Sequence, residues 1–195
     1  MRPVPNYQKG LAVAALALGA FALLAGSPRV ESNARIDVAG LARTIENEDD
    51  HVTAVELAEW IKSQRPDLRV IDVRDSAAFD AYHIPRAERI ALSDVVSTPF
   101  SRDETIVLYS DGGAHAAQAW VFLRATGHKR VYFLRGGLDE WTADVMNPTL
   151  ATSASDSARE SFEKIAEISK YFGGLPRVGD STAVRPSVRV RGRGC

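Results

Sequence analysis

The sequence predicts an α/β domain built on a mostly parallel central sheet with helices on both faces, preceded by an N-terminal membrane segment and followed by a C-terminal helical extension. Two observations carry this. Four short β-rich runs alternate with stretches of helical periodicity, which implies parallel strands joined by crossover helices. Ahead of them, the uncharged run "GLAVAALALGAFALLAGSP" (residues 10–28) comes after Arg2 and Lys9 and is close to the minimum length for crossing a bilayer.

In chain order, residues 1–28 read as a signal peptide or an uncleaved membrane anchor. Ala25 and Ser27 suit a cleavage site, whereas Pro28 after the cut disfavours processing. Either route exports the remainder of the chain, so a bacterial-type inner membrane with the domain facing the periplasm is the expected location, or the periplasm itself after cleavage. Residues 29–50 are a mixed polar linker with one short helix around residues 38–45. At residue 51 a folded domain begins: Thr53 and Glu56 form a capping box, and Val55, Leu57, Ala58 and Ile61 give "TAVELAEWIKSQ" an apolar helical face. Strands are expected in "LRVIDVRD" (68–75), "ERIALS" (88–93), "TIVLYS" (105–110) and "RVYFLRGG" (130–137). The domain is expected to close at residue 146. Residues 147–158, "NPTLATSASDSA", read as a linker, and residues 159–195 as a helix with an apolar stripe of Phe162, Ile165, Ile168 and Phe172, ending in a basic arm that carries Cys195.

Composition narrows the function. Of 195 residues, 24 are Lys or Arg and 25 are Asp or Glu, for a net charge of −1, which excludes a basic nucleic-acid binder and an acidic disordered solvator. The single cysteine, Cys195, excludes an internal disulfide and any zinc site built on several thiolates. No metal or cofactor is expected. The expected partners are a membrane through residues 10–28 and another protein.

Parallel sheets hold ligand sites at the carboxyl ends of their strands. The segment "IVLYSDGGAHAAQAW" (106–120) is a strand, a glycine-bearing loop and a helix start, which places Ser110 at such an end. With "VIDVRDSAAFDAYHIPRA" (70–87), "VYFLRGGLDEW" (131–141) and the opening "VTAVELAEWI", it resembles the rhodanese-like (sulfurtransferase homology) domain family over residues 51–145. Asp72, Arg74, Phe79, His83, Ile84, Pro85 and Ala87 match the family's first signature, and Gly136, Gly137 and Trp141 match its closing one. Tyr82 and Arg86 stand where glycine is common. The resemblance implies a loop of the form Cys-x-x-Gly-x-Arg whose cysteine carries sulfur. Here the six positions are Ser110, Asp111, Gly112, Gly113, Ala114 and His115.

A serine hydroxyl neither ionises near neutral pH nor holds a persulfide, so loop 110–115 reads as vestigial, with no catalytic residue in it. A Ser110–His115–Asp111 hydrolase needs the three side chains in line, and their closeness in sequence does not create that line. An anion cradle is opposed by Asp111, and the expected role of Ser110 is to cap the helix after the loop. Asp72 and Arg74 are expected to tether loops, His83 to be a structural hydrogen-bonder, and Trp60, Trp120 and Trp141 to pack in the core. The first functional expectation is a binding or assembly module without transfer chemistry. The alternatives are a sulfur relay through Cys195 as persulfide or disulfide carrier, and an accessory subunit of a larger membrane complex.

Overall fold

The computed structural model describes residues 6–25 and 37–179 and divides the chain into two units, Met1–Ala34 and Arg35–Cys195. In the first, helix α1 spans Asn6–Ala25. Its first four residues are Asn6, Tyr7, Gln8 and Lys9, so the apolar part runs over residues 10–25, about 24 Å of helix against a hydrocarbon core of about 30 Å. Among the described residues no helix is long and apolar enough to cross a membrane. The expected membrane segment at residues 10–28 therefore lacks a spanning helix here, and residues 26–28 lie outside the described ones.

The second unit runs α2 (Val38–Glu46), β1 (His51–Val52), α3 (Ala54–Lys62), β2 (Leu68–Asp72), α4 (Ser76–Ala81), β3 (Ala87–Arg89), β4 (Thr105–Tyr109), α5 (Ala114–Ala125), β5 (Val131–Leu134), α6 (Gly137–Trp141), β6 (Thr149–Leu150), α7 (Asp156–Tyr171) and β7 (Arg177–Val178). The main sheet has the order β1–β5–β4–β2–β3, and every pair is parallel. The start of α3 is the capping box seen in the sequence: the Glu56 N–H donates to Thr53 Oγ1 at 3.2 Å and the Thr53 N–H donates to Glu56 Oε2 at 2.8 Å.

Period-two alternation sends neighbouring strand residues to opposite faces, and both faces are covered. Val70, Val107 and Tyr109 pack with Leu57, Ala58 and Ile61 of α3, Trp141 and Ile168. Ile71, Ile106 and Leu108 pack with Ala116, Ala119, Trp120 and Leu123 of α5. Trp120 keeps its donor satisfied inside this second layer, its Nε1–H reaching the Val131 carbonyl at 2.9 Å. All five residues of β4 are buried, as a central strand requires.

Three local features depart from the sequence pattern. The run 88–93 is a strand only over Ala87–Arg89 and then turns into a 3₁₀ segment, Leu92–Asp94, because β3 is the sheet edge and pairs on one side alone. After Trp141 the chain continues as a π-helical turn, Thr142–Met146, which keeps Val145 in the core. Within 147–158, Thr149–Leu150 pairs with Arg177–Val178 as a second, two-stranded parallel sheet, and Ser155 caps α7 by accepting from the Ala158 N–H at 3.3 Å. Strands of two residues are too short to show periodicity. Helix α7 packs along α3 and the π turn, and Ile168 is buried in the same core layer as Leu57.

Candidate functional site

Parallel pairing sets Asp72 opposite Tyr109, so the carboxyl ends of β2 and β4 lie side by side. Beyond Tyr109, Ser110 is 3% exposed and opens the loop to α5. Helix α5 begins at Ala114 with Gly113 as its N-cap at φ 88°, and no side chain caps it. The expected capping role of Ser110 is thus not realised: the serine stands three residues too early, and the turn is made by the left-handed glycine.

The loop is clamped from below by the glycine pair after β5. The Leu138 N–H donates to the Ser110 carbonyl at 2.9 Å, and the Asp139 N–H donates to the Asp111 carbonyl at 3.1 Å. Gly137, at φ 60°, makes this approach possible. A Cβ there would lie 2.2 Å from the Ser110 carbonyl oxygen and 2.3 Å from that of Asp111, distances that no side chain tolerates. Gly136 is also left-handed, at φ 63°. The closing Gly-Gly therefore serves the loop by close backbone approach.

Asp72 is fully buried and holds Arg74. The Arg74 Nη2–H donates to Asp72 Oδ2 at 2.7 Å and its Nε–H to Asp72 Oδ1 at 3.0 Å, while the Arg74 backbone N–H reaches Oδ1 at 2.9 Å. The same guanidinium donates to Asp111 Oδ1 at 3.1 Å and to the Tyr82 carbonyl at 2.7 Å. Asp72 first, and Asp111 after it, hold the guanidinium well above its ordinary pKa. Arg74 is thus a buried tether joining β2, the turn after α4 and the loop after β4. Burial, and after it the neighbouring Asp72, pushes the Tyr109 phenol above its ordinary range, and its oxygen accepts from the Ile84 N–H at 3.1 Å.

His83 stacks on Phe79 with ring centroids 4.0 Å apart, and its Nδ1 lies 2.9 Å from the Phe79 carbonyl oxygen. Pro85 and Arg86 lie on a groove of about 590 Å³ with Ile61, Gln64, Tyr171 and Phe172, away from the loop. Arg86 has φ 67°, a left-handed conformation that favours glycine. Trp141 is fully buried and its Nε1–H donates to the Tyr82 hydroxyl at 3.1 Å.

Ser110, Asp111, Gly112, Gly113, Ala114 and His115 come together as one loop, but not as a triad. Asp111 is committed to Arg74, His115 is exposed on the first turn of α5, and among the described residues no hydrogen bond joins His115 to Ser110 or Asp111. Asp139, whose N–H holds the loop, belongs to this site without having been singled out by the sequence pattern, and Tyr82, noted there only as standing where glycine is common, links Arg74 to Trp141 through its carbonyl and hydroxyl. An acidic residue directly after the Gly-Leu turn was the available signal for Asp139. Cys195 and the arm arginines lie outside the described residues.

Comparison with known proteins gives a match to the rhodanese-like domain model over residues 53–144. A sulfurtransferase of Allochromatium vinosum is 31% identical over 77 residues, 38% of this chain and 72% of that protein. A probable adenylyltransferase/sulfurtransferase, MoeZ, of Mycobacterium tuberculosis is 34% identical over 103 residues, 51% of this chain and 26% of that protein. A thiosulfate sulfurtransferase of Corynebacterium glutamicum is 27% identical over 164 residues, 69% of this chain and 54% of that protein. The chain thus spans only a quarter to about half the length of the latter two relatives. With the parallel five-stranded sheet, the Asp72–Arg74 tether and the glycine-clamped loop in place, the chain belongs to the rhodanese-like domain family, whose relatives include sulfurtransferases.

Proposed function

We propose that this chain is a rhodanese-like recognition module in which loop 110–115 binds without transferring sulfur. The observation that carries this reading is Ser110 at the buried end of β4, where the family resemblance implies a cysteine. Its hydroxyl offers neither a thiolate nor a persulfide. The loop also lacks what would rescue a serine nucleophile: Asp111 is turned to Arg74, and among the described residues His115 is exposed and makes no hydrogen bond to Ser110 or Asp111. In this reading the first helix fixes the module to the periplasmic face of a bacterial-type inner membrane. The apolar side chains of Leu11, Val13, Leu16 and Leu18 on α1 are exposed and support a hydrophobic contact there.

Sulfur transfer from thiosulfate to cyanide is the test. The full-length protein should show no transfer above the uncatalysed rate. Transfer by the wild type that survives Cys195→Ala would overturn the reading, because the loop itself would then be active. Transfer lost in Cys195→Ala would place the chemistry on the arm as a relay. The anchoring part is tested separately, by whether the protein stays with washed membranes after high salt and leaves them in detergent.

A further inference from the structure

We propose that the groove formed by the ends of α3 and α7 and the turn before β3 binds a short acidic peptide segment of a partner protein, which inserts an apolar side chain and sets its carboxylates on Arg86 and Lys62. The groove holds about 590 Å³ and is walled by Ile61, Pro85, Tyr171 and Phe172, with Gln64 and Arg86 as its polar lining. The aromatic wall is anchored. Phe172 meets the buried Trp141 edge-on, ring centroids 5.2 Å apart, and Tyr171 meets Phe172 at 4.9 Å, yet Tyr171 is left 55% exposed. No lining residue belongs to loop 110–115, so the site stands whether or not that loop transfers sulfur.

Both polar lining residues hold a backbone conformation that glycine adopts more easily. Ile84 to Ala87 form a turn closed by the Ala87 N–H on the Ile84 carbonyl at 2.9 Å. Proline at its first centre and φ 67° at its second, Arg86, mark a type II turn, whose second centre is ordinarily glycine. Gln64, at φ 53°, follows the end of α3 where glycine usually stands: its N–H donates to the Ile61 carbonyl at 3.0 Å, and the next N–H, of Arg65, to that of Trp60 at 3.4 Å. Among the described residues three that are not glycine have positive φ, and two of them line this one groove. Nothing within the described chain offsets that strain, because the Arg86 guanidinium and the Gln64 carboxamide make no ion pair or hydrogen bond there. Strain kept without an internal contact to offset it points to a contact made with another molecule.

Charge decides the occupant. No acidic residue lines the groove. Lys62 stands over the Tyr171 ring, its Nζ 5.7 Å from the centroid, and neither Lys62 nor Arg86 pairs with a carboxylate among the described residues. Two uncompensated cations beside an apolar slot call for carboxylates next to an apolar side chain. The Gln64 carboxamide, a donor and an acceptor together, matches a peptide group. A concave slot with such directional groups suits a peptide that inserts one anchor side chain.

The test selects random dodecapeptides displayed on phage against the immobilised full-length chain, then titrates the enriched peptides into the chain in a calorimeter. Enriched sequences should carry an aromatic or branched aliphatic residue flanked by Asp or Glu. Arg86→Gly and Tyr171→Ala should each weaken their binding by about tenfold or more. Lys129→Gln removes the same charge from an exposed lysine outside the groove and should change binding by less than about twofold. Arg86→Gly relieves a left-handed residue, so a folding defect does not hide its answer. The proposal is overturned if acidic peptides are not enriched, if either groove variant binds them within about twofold of the wild type, or if Lys129→Gln weakens binding as much as Arg86→Gly. Self-association of the chain that Arg86→Gly removes, read by sedimentation, would put a second copy in the groove and overturn it as well.

Discussion

Gly137→Ala concentrates the clamp beneath the loop into one methyl group. At φ 60° an alanine costs about 1–2 kcal/mol from backbone strain alone. The added Cβ also lies 2.2 Å from the Ser110 carbonyl oxygen, 2.3 Å from that of Asp111 and 2.7 Å from the Gly113 nitrogen, all backbone atoms that cannot rotate away. Relief requires the loop to lift, which strains or breaks the Leu138-to-Ser110 and Asp139-to-Asp111 hydrogen bonds, each contributing about 0.5–1.5 kcal/mol. The expected destabilisation is about 2–5 kcal/mol from the strain and the two hydrogen bonds together. Gly173→Ala is the internal control, because Gly173 has φ 79° but nothing within 4 Å of a Cβ, leaving only the backbone strain of about 1–2 kcal/mol. Urea unfolding of both variants, with midpoints compared at unchanged slope, measures the difference. If Gly137→Ala costs no more than Gly173→Ala, the close approach of the two loops does not exist as described.

Arg74→Ala should destabilise by about 3–5 kcal/mol, since it strands a carboxylate at Asp72 that is fully buried, whereas Asp111→Asn should cost under about 1 kcal/mol because that side chain is 71% exposed; urea midpoints separate the two. Tyr109 is held neutral in the fold beyond its unfolded pKa of about 10, so the unfolded chain loses the proton first as pH rises. Stability present below about pH 10 should therefore decline above it, and Tyr109→Phe should flatten that alkaline decline in thermal melts while losing the acceptor for Ile84 at neutral pH. Arg86→Gly should stabilise by up to about 1 kcal/mol, because relief of left-handed strain exceeds the added backbone entropy of the unfolded chain, and a midpoint shift in the opposite direction would show that Arg86 makes a contact worth more than its strain.

The inner strands β2 and β4 of the main sheet were legible because their residues are chosen for burial on two faces. Val70, Ile71, Ile106, Val107 and Leu108 report that without knowing their partners. The capping box at Thr53 and Glu56 was legible because it is local, its two partners lying three residues apart. Edges and short pairings were not. β1, β6 and β7 have two residues each, and the register that makes them strands is supplied by chain far away in sequence.

The loop shows the same division. Its chemistry was written in residue identities: serine for a thiol, histidine for an arginine, and glycines where the backbone must turn. Its geometry was set by long-range neighbours. Asp111 turns to Arg74, 37 positions earlier, and the loop carbonyls dock on the N–H groups of Leu138 and Asp139. Composition and spacing act locally and so dictate strands, caps and available functional groups. Which charge meets which, and how closely two backbones approach, depends on the packing of segments far apart in the chain, and that packing turns six loop residues into an acidic, glycine-clamped mouth rather than a catalytic line.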